Sequence, residues 1–386
     1  MKCKLISLMI FLLLAAALLP CYAQETPQPE IRDVSLELLG SSVHYPQLTG
    51  LADAQLQAEI NNAIMEEGRI NERLSRMAAL LNAPVKLSVS YSCTLTGDVF
   101  SCAMLADGAV ETSRATQVWS AVNYNLRTGE KITYADLFTD EAAARAAMEA
   151  YLQEQVAPEL SAHLAAGSLT PIPENFAISP TGLTLLYGIG SFRTLSDRAG
   201  TVTLLWSELL EHLRLAEGDV LHSLGVPGNL TLAEDAAVQI AKALENSAFP
   251  GIPAALDQPV QELIDRHALL TDPDLYEGGR MLALEDGAFR STWLLTDAVT
   301  RTFDASVVQG IRADRLCFRG LCTGITTMNE WRNVLGKPEI TVSLDEARAE
   351  GYRLVPGTSD YYTFGNCRLR LHADESGVLR SVFLTR

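Results

Sequence analysis

Lysine and histidine are scarce in this 386-residue chain, and their scarcity excludes several classes of protein. Lysine occurs only six times, and 47 acidic residues outnumber 30 basic ones, which gives a formal net charge of −17. Binding of nucleic acid or anionic lipid depends on cationic groups that neutralise phosphates, so neither is an expected partner. None of the six histidines stands at metal-ligand spacing from another. We therefore predict no metal site.

The sequence also lacks the usual motifs of catalysis. Gly188-Ile-Gly190-Ser191 has neither the G-x-S-x-G order of a nucleophile elbow nor the third glycine of a dinucleotide loop. Asp272-Pro-Asp274 is more typical of a turn than of a calcium loop, because no oxygen-rich loop continues from it. We predict no catalytic residue and no cofactor. A hydrolase site built from scattered carboxylates stays open, because any two of the 47 acids could meet in space.

Residues 1–23 are predicted to be a signal peptide. Lys2 and Lys4 precede an apolar run from Leu5 to Leu19, and Ala23 offers a small residue for cleavage. A membrane span needs about 20 apolar residues, so this run is too short for one. We expect a secreted, periplasmic or cell-envelope protein. A lipoprotein anchored through Cys21 is the alternative, and only in that case do we expect a membrane partner.

Removal of the signal would take away two lysines and no acid, which moves the net charge from −17 to −19. That charge permits a cationic partner, and it would also keep an exported protein soluble.

Two cysteine pairs are predicted to form disulfides across tight turns. Cys93 and Cys102 enclose a candidate two-residue turn at 97–98, and Cys317 and Cys322 enclose another at 319–320. Counted outward from each turn, both pairs fall on a non-hydrogen-bonded rung, where Cα atoms lie about 4.5 Å apart and a disulfide can form. Disulfides are common in exported proteins. Cys367 is left over, either as a buried thiol or as a competitor for the second pair.

Hydrophobic periodicity predicts an α+β fold for residues 31–215, an antiparallel sheet with segregated helices. Helices are expected at 53–82, 140–164 and 207–213, and strands at 34–39, 86–91, 99–104, 116–124, 176–188 and 200–206. Residues 216–235 are predicted to be a linker, because 225–229 contains two glycines and a proline.

An internal repeat organises the rest of the chain. Gly287-Ala-Phe-Arg-Ser-Thr-Trp-Leu294 matches Gly377-Val-Leu-Arg-Ser-Val-Phe-Leu384 at an offset of 90 residues. Each copy ends a β-hairpin, and a short helix is expected before each hairpin, at 259–267 and 328–335. Thr327 and Glu330 have the spacing of a capping box for the second helix. We predict two small helix-plus-β-hairpin repeats, at 236–300 and 301–386.

Four segments between Val118 and Leu209 follow a recognisable pattern. They are Asn123-Tyr-Asn-Leu-Arg-Thr-Gly-Glu-Lys-Ile-Thr-Tyr-Ala-Asp-Leu-Phe138, Pro173-Glu-Asn-Phe176, Thr181-Gly-Leu-Thr-Leu-Leu-Tyr-Gly-Ile-Gly190 and Gly200-Thr-Val-Thr-Leu-Leu-Trp-Ser-Glu-Leu209. These segments resemble the RsiV-like extracytoplasmic domain family. The family occurs in the sensor part of an anti-sigma factor and beside polysaccharide deacetylases such as PdaC. The resemblance implies a non-catalytic module over about 31–215, with lysozyme as one candidate partner.

A weaker resemblance covers 250–386. Gly324-Ile-Thr-Thr before the second helix and Leu335-Gly-Lys-Pro after it are similar to the small units of BamE-like proteins. A tandem of two such units resembles the architecture of β-lactamase inhibitory protein. What this class implies is again protein binding without catalysis.

Six aromatic residues are candidates for a binding interface, because Trp and Tyr often anchor interfaces. They are Trp119, Tyr124, Tyr134, Tyr187, Tyr361 and Tyr362. The alternative, for Trp119 and Tyr187 above all, is a place in the core. The sequence thus favours a non-catalytic binding or sensing protein of the cell envelope that recognises a protein or a cell-wall component. An envelope hydrolase and a structural lipoprotein-like factor are the alternatives.

Overall fold

A computed structural model gives the structure of residues 28–38, 41–79, 85–110, 116–155, 169–188, 200–265, 269–276, 279–284, 291–297 and 305–386. The predicted signal peptide with Cys21, residues 287–290 of the first repeat motif and the ends of the helices predicted at 140–164 and 259–267 lie outside these residues. The architecture is α+β with several antiparallel sheets, which confirms the predicted class. Within the described ranges, no helix is long and apolar enough to cross a membrane.

A five-stranded sheet forms the beginning of the fold. Its strands follow one another in chain order: β1 (Glu30–Leu38), β2 (Ser41–Thr49), β3 (Val85–Thr96), β4 (Val99–Val110) and β5 (Thr116–Asn125). The last three strands form the predicted antiparallel meander. Strand β2 was not predicted, and it pairs with β3 in parallel. A parallel pair needs a crossover, which two helices supply here.

Those helices are α1 (Ala54–Glu67) and α2 (Ile70–Ala79), where the sequence predicted one helix over 53–82. The helix breaks because Arg69 has a left-handed φ of 49°, which a right-handed helix cannot continue. Helix α1 begins at Asp53, whose side chain accepts hydrogen bonds from the amides of residues 55 and 56. Its buried side chains, Leu56, Ile60 and Ile64 among them, pack on the sheet.

A second sheet of three strands lies against the first. It contains β6 (Phe176–Ile178), β7 (Gly182–Leu186) and β8 (Thr201–Leu205), and it packs with α3 (Tyr134–Leu137), α4 (Glu141–Gln155) and the 3-10 helix Trp206–His212. Buried polar groups join the two sheets. Ser101 Oγ donates to Asn123 Oδ1 at 2.7 Å and accepts from the Ile178 amide at 2.9 Å, and Asn123 Nδ2 donates to the Phe176 carbonyl at 2.8 Å.

The segment 216–235 is folded, whereas the sequence predicted a linker. It contains the short helices α5 (Val220–Ser223) and α6 (Val226–Leu230). Val220, Leu221, Leu224 and Val226 are buried in the core of the three-stranded sheet. Gly225, which the sequence indicated as part of a linker, instead supplies the left-handed turn (φ 80°) from which α6 starts. The division of the chain into domains stays a prediction.

The C-terminal part is built on one eight-stranded sheet. Its strands are β9 (Leu269–Tyr276), β10 (Gly279–Leu284), β11 (Thr292–Thr296), β12 (Val308–Ala313), β15 (Ile340–Leu344), β16 (Gly357–Phe364), β17 (Cys367–Asp374) and β18 (Leu379–Thr385). Their order is β15-β16-β17-β18-β12-β11-β10-β9. Strand β12, which was not predicted, pairs with both β11 and β18 and so merges the two repeats. A small hairpin, β13 (Cys317–Phe318) with β14 (Leu321–Cys322), follows β12.

Four helices accompany this sheet: α7 (Ala236–Ala243), α8 (Val260–Asp265), α9 (Met328–Leu335) and α10 (Glu346–Gly351). The predicted capping box of α9 is present, since the amide and hydroxyl of Thr327 both donate to the Glu330 carboxylate. Side chains from both repeats share one hydrophobic core against a single face of the sheet.

The helix predicted at 259–267 is present as α8, but it is not the counterpart of α9 in the repeat. A shift of 90 residues moves α7, not α8, onto 326–333 and therefore onto α9. Helices α7 and α9 also contact each other. The same shift moves β9, β10 and β11 close to β16, β17 and β18, so each repeat carries a three-stranded meander where the sequence predicted a hairpin.

A buried ion pair connects the two parts of the chain. Arg315 donates to both oxygens of Glu208, from Nε at 2.7 Å and from Nη2 at 2.8 Å. Its Nη2 also donates to the Thr203 carbonyl at 2.9 Å, and Tyr151 donates to Glu208 at 2.6 Å. The side chains of Arg315 and Glu208 are only 14% and 11% exposed. This contact fixes β8 and the 3-10 helix against the C-terminal sheet.

Candidate functional site

The cysteine pairs lie in the predicted registers. Cys93 is opposite Cys102 on β3 and β4, and Cys317 is opposite Cys322 on β13 and β14. In the structure Cys317 and Cys322 form a disulfide, whereas Cys93 and Cys102 are free thiols. A hydrogen bond with Cys102 and burial raise the pKa of the Cys93 thiol. Oxidation of this first pair therefore stays a prediction.

Cys367 is also a free, buried thiol. It lies against Leu244 and Ser247, apart from the hairpin disulfide.

Most of the six aromatic candidates are core residues. Tyr124, Tyr134, Tyr187 and Tyr362 are each no more than 5% exposed. Burial raises the pKa of Tyr362 to about 12. Its hydroxyl donates to the Gly336 carbonyl at 3.2 Å, while the hydroxyl of Tyr134 donates to the Pro173 carbonyl at 2.8 Å. These four side chains are unavailable to a partner, because they already fill the interior. Trp119 and Tyr361 are partly exposed.

Tyr361 belongs to a row of large side chains that crosses six strands of the C-terminal sheet. Pairing between neighbouring strands defines the row as Ile340, Tyr361, Arg370, Phe383, Arg312 and Trp293, on β15, β16, β17, β18, β12 and β11. Residues directly opposite each other share one face of a sheet. The residues next to them in sequence, such as Leu371 beside Arg370 and Val382 beside Phe383, point to the opposite face and belong to the hydrophobic core. The row therefore lies on the face of the sheet opposite this core, where Trp293, Tyr361 and Arg370 are partly exposed and Arg312 and Phe383 are buried, at 7% and 8% exposure.

Arginines alternate with aromatic rings along this row. The guanidinium of Arg370 lies 4.6 Å from the ring centre of Phe383 and 5.6 Å from that of Tyr361. Arg368, two residues before it on the same face, lies 4.9 Å from the ring centre of Tyr361. Arg312 lies 5.7 Å from Phe383 on the other side. We call Trp293, Arg312, Tyr361, Arg368, Arg370 and Phe383 the arginine–aromatic face.

The three arginines differ in their partners. Arg312 makes a two-pronged ion pair with Asp314, with both contacts at 2.8 Å. Among the described residues, Arg370 donates only to the hydroxyl of Ser359, at 3.0 Å, and Arg368 Nε is buried without a hydrogen-bond partner. Within the described residues neither Arg368 nor Arg370 meets a carboxylate. Burial lowers the pKa of Arg370, as expected for a charge without a counterion.

Exposed apolar side chains border the same face. Large hydrophobic residues more than a third exposed are few in the described part of the chain, and three of them lie here: Ile340 at 46%, Tyr352 at 51% and Val355 at 44%. Ile340 ends the row at the edge strand β15. The ring of Tyr352 lies 5.8 Å from the Arg370 guanidinium. Exposed apolar groups that cluster around polar ones mark interaction sites more often than scattered ones do.

The segment 352–355 lies over the middle of the row, beside Arg370 and Arg312, and is held there by hydrogen bonds. Arg312 donates to the carbonyls of Tyr352 and Arg353, at 3.1 and 2.8 Å. His372 bonds through Nε2 to the Val355 carbonyl and through Nδ1 to Ser359, both at 2.9 Å. The bond to a carbonyl requires a proton on Nε2, so Nδ1 accepts from the serine hydroxyl.

Ser359 and His372 could suggest a nucleophile and its base. Both side chains are 0% exposed, and the second nitrogen of the imidazole is bonded to the backbone. A substrate could not reach this hydroxyl, so the pair anchors the covering segment. Among the described residues, no group of three or more His, Cys, Asp or Glu side chains is placed to bind a metal ion.

A buried carboxylate supports the face from behind. Asp360 is 0% exposed and precedes Tyr361 on β16, so its side chain points into the core. It accepts from Trp331 Nε1 at 3.1 Å, from Arg332 at 2.6 and 2.8 Å, and from Thr341 at 2.7 Å. It thereby ties the edge strand β15 and helix α9 to β16. Burial alone would raise the pKa of Asp360, but these hydrogen bonds outweigh it and hold the pKa below its usual value.

The sequence identified Tyr361 as an interface candidate, but it did not identify the arginines and Phe383 that lie beside it in the sheet. A signal was present in Cys367-Arg-Leu-Arg-Leu371, where arginine alternates with leucine and so marks one polar and one core face.

Comparisons with known proteins give distant structural similarities. No protein-family model and no curated protein matches the sequence. A DUF3298 family member from Bacteroides fragilis is 10% identical with a TM-score of 0.39, over 52% of this chain and 98% of that one. A DUF3298 family protein from Pseudomonas aeruginosa is 14% identical with a TM-score of 0.36, over 49% and 94%.

A DUF4309 family protein from Bacillus subtilis is 11% identical with a TM-score of 0.23, over 40% of this chain and 97% of that one. All three are structures of families of unknown function, and similarities this low support no inference about what the chain does.

Proposed function

We propose that the protein is an exported, non-catalytic binding or sensing module that recognises another protein through the arginine–aromatic face. One observation carries the proposal: a row of Arg, Tyr, Phe and Trp crosses the face of the C-terminal sheet opposite its core, and Tyr361 and Arg370 in this row are partly exposed beside the exposed Ile340. Arg, Tyr and Trp are the residue types that contribute most to protein interfaces. The resemblances to RsiV-like and BamE-like units agree with such a role.

The construction of the face also suits a protein partner. Its side chains are held in place, because Arg370 lies between the rings of Tyr361 and Phe383, and Arg312 and Arg368 each lie against one of these rings. A pre-ordered surface loses little conformational entropy when a partner binds. The apolar rim at Ile340, Tyr352 and Val355 would lose contact with water on binding, which is favourable.

Site-specific photo-crosslinking tests this proposal. Tyr361 is replaced by p-benzoylphenylalanine in the full chain, and the protein is irradiated in an envelope extract of its native host. Val238 in α7 is 68% exposed and far from the face in sequence, so the same replacement there is the matched control. We expect a discrete protein adduct at 361 and none at 238. Equal or absent adducts at both positions would refute the proposal.

Lysozyme is the partner that the family resemblance suggests, and the acidic composition agrees with a cationic protein. Attraction between exposed charges is screened beyond about 8 Å at physiological salt. We therefore compare lysozyme with cytochrome c in a salt series by surface plasmon resonance. A specific complex should keep a slow dissociation near 0.5 M salt, about the concentration at which purely electrostatic binding is lost. Parallel loss for both proteins would remove lysozyme as the partner.

A further inference from the structure

Resting on the proposed function, we infer that the arginine–aromatic face binds an extended, acidic segment of its partner, with carboxylates at Arg368 and Arg370. The inference depends on local charge and not on net charge. The chain as a whole is strongly acidic, yet the arginine–aromatic face presents two guanidinium groups that meet no carboxylate among the described residues. This face therefore favours an acidic segment of the partner, whatever the partner's net charge.

The chemistry of the two arginines selects the ligand class. A guanidinium presents parallel N–H groups that match a carboxylate in a two-pronged hydrogen bond. Arg312 already makes this arrangement with Asp314, in the same row. For Arg370, the hydroxyl of Ser359 occupies Nε only. Its terminal nitrogens have no hydrogen-bond partner within the described structure. Arg368 lies against the ring of Tyr361 and its Nε is buried, so it too would bind a carboxylate through its terminal nitrogens. Neither arginine would lose an ion pair to a described residue by doing so.

The neighbours of the arginines favour a polypeptide with mixed side chains. Tyr361 and Phe383 flank Arg370, and Ile340 and Tyr352 lie exposed beside them. A ligand that alternates acidic and apolar side chains would match both features. The segment 352–355 lies over Arg312, so the accessible part of the row runs from Ile340 to Arg370 on three strands. Two spacings of about 4.8 Å give a length of about 10 Å. An extended chain advances about 3.3 Å per residue, so about three residues would cover this part and a heptapeptide is long enough.

Selection from a random heptapeptide library displayed on phage tests this inference. The immobilised full chain is compared with the double variant Arg368→Gln/Arg370→Gln. Arg32 and Arg319 are exposed arginines on other surfaces, so Arg32→Gln/Arg319→Gln changes the net charge equally and is the matched control. We expect the wild type and the control to enrich peptides with two or more Asp or Glu among apolar residues. The Arg368→Gln/Arg370→Gln variant should lose that enrichment.

The best peptide is then synthesised and titrated by fluorescence anisotropy. We expect its affinity to fall at least tenfold for Arg368→Gln/Arg370→Gln and also when its acids are changed to Gln. The single variant Arg368→Gln breaks no hydrogen bond, so it should stay folded and still weaken binding. Three results would overturn the inference. The enriched peptides could lack acids, or the control variant could lose as much affinity as Arg368→Gln/Arg370→Gln. The protein could also bind inorganic phosphate or purified cell-wall sacculi in place of peptide.

The two proposals fail separately. A photo-adduct at Tyr361 without enrichment of acidic peptides would refute the acidic segment as the ligand but would still support protein binding at this face. Absence of the adduct would remove the proposed function itself.

Discussion

Replacing Asp360 with alanine should strongly destabilise the C-terminal sheet. Asp360 is fully buried and accepts four hydrogen bonds, two of them from Arg332. Its loss leaves the indole N–H of Trp331 buried without an acceptor, because that side chain is 0% exposed. Arg332 is 35% exposed, so water can replace part of the hydrogen bonding that its guanidinium loses.

The magnitude follows from these contacts. A buried donor without an acceptor costs about 1–3 kcal/mol, and each hydrogen bond to a charged group contributes about 1.5–3 kcal/mol. Removing one partner of a buried ion pair costs about 3–5 kcal/mol. With the bonds of Arg332 discounted for solvent exposure, we expect Asp360→Ala to lower the free energy of unfolding by about 4 kcal/mol. Thr341→Val removes one bond to the same carboxylate, and because Thr341 is exposed to solvent the loss should be only about 1 kcal/mol.

Urea unfolding followed by circular dichroism measures both variants. Asp360 has a folded-state pKa below its usual value, so its contribution is present above about pH 3.8 and is lost as the pH falls further. The difference between wild type and Asp360→Ala should therefore shrink in acid. An Asp360→Ala loss no larger than that of Thr341→Val would refute the reasoning.

Three further predictions concern the cysteines, the segment 216–235 and His372. Mass spectrometry of the oxidised protein should find disulfides across both hairpin turns and an alkylatable Cys367 after unfolding without reductant; a bridge to Cys367 would contradict this. A chain ending at 216 should be less stable to urea than one ending at 232, because it lacks four core side chains worth about 1.5–3 kcal/mol each; equal midpoints would refute it. Burial, opposed by the hydrogen bond to Val355, lowers the pKa of His372, so stability should decline as the pH falls below 6.5. His372→Gln should flatten that decline between pH 6.5 and 5. An unchanged slope would mean that other groups cause the decline.

Local signals in the sequence predicted local structure well. The turns at 97–98 and 319–320 fixed the cysteine registers, because a two-residue turn determines which residues face each other. The capping box at Thr327 located the start of α9. The extent of α1 was wrong because the left-handed backbone at Arg69 is a conformational choice that periodicity does not report.

Long-range pairing could not be predicted in the same way. Strand β12 sits between β11 and β18, so the row from Trp293 to Tyr361 exists only after strands distant in sequence have paired. The aromatic residues show the same limit. Tyr361 and Tyr362 are adjacent, yet Tyr361 is partly exposed on the arginine–aromatic face and Tyr362 is buried in the core, since successive residues of a strand point to opposite sides.

The most direct test of the proposed binding face is the affinity of the crosslinked partner for variants of that face. The partner identified through Tyr361 is purified and its Kd is measured by surface plasmon resonance. We compare the wild type, Arg368→Gln/Arg370→Gln and Arg32→Gln/Arg319→Gln, all checked for an unchanged circular dichroism spectrum. We predict at least tenfold weaker binding for the first variant, mainly through faster dissociation, and no change for the second. Equal affinities of all three proteins would contradict the proposal that this face is the binding site.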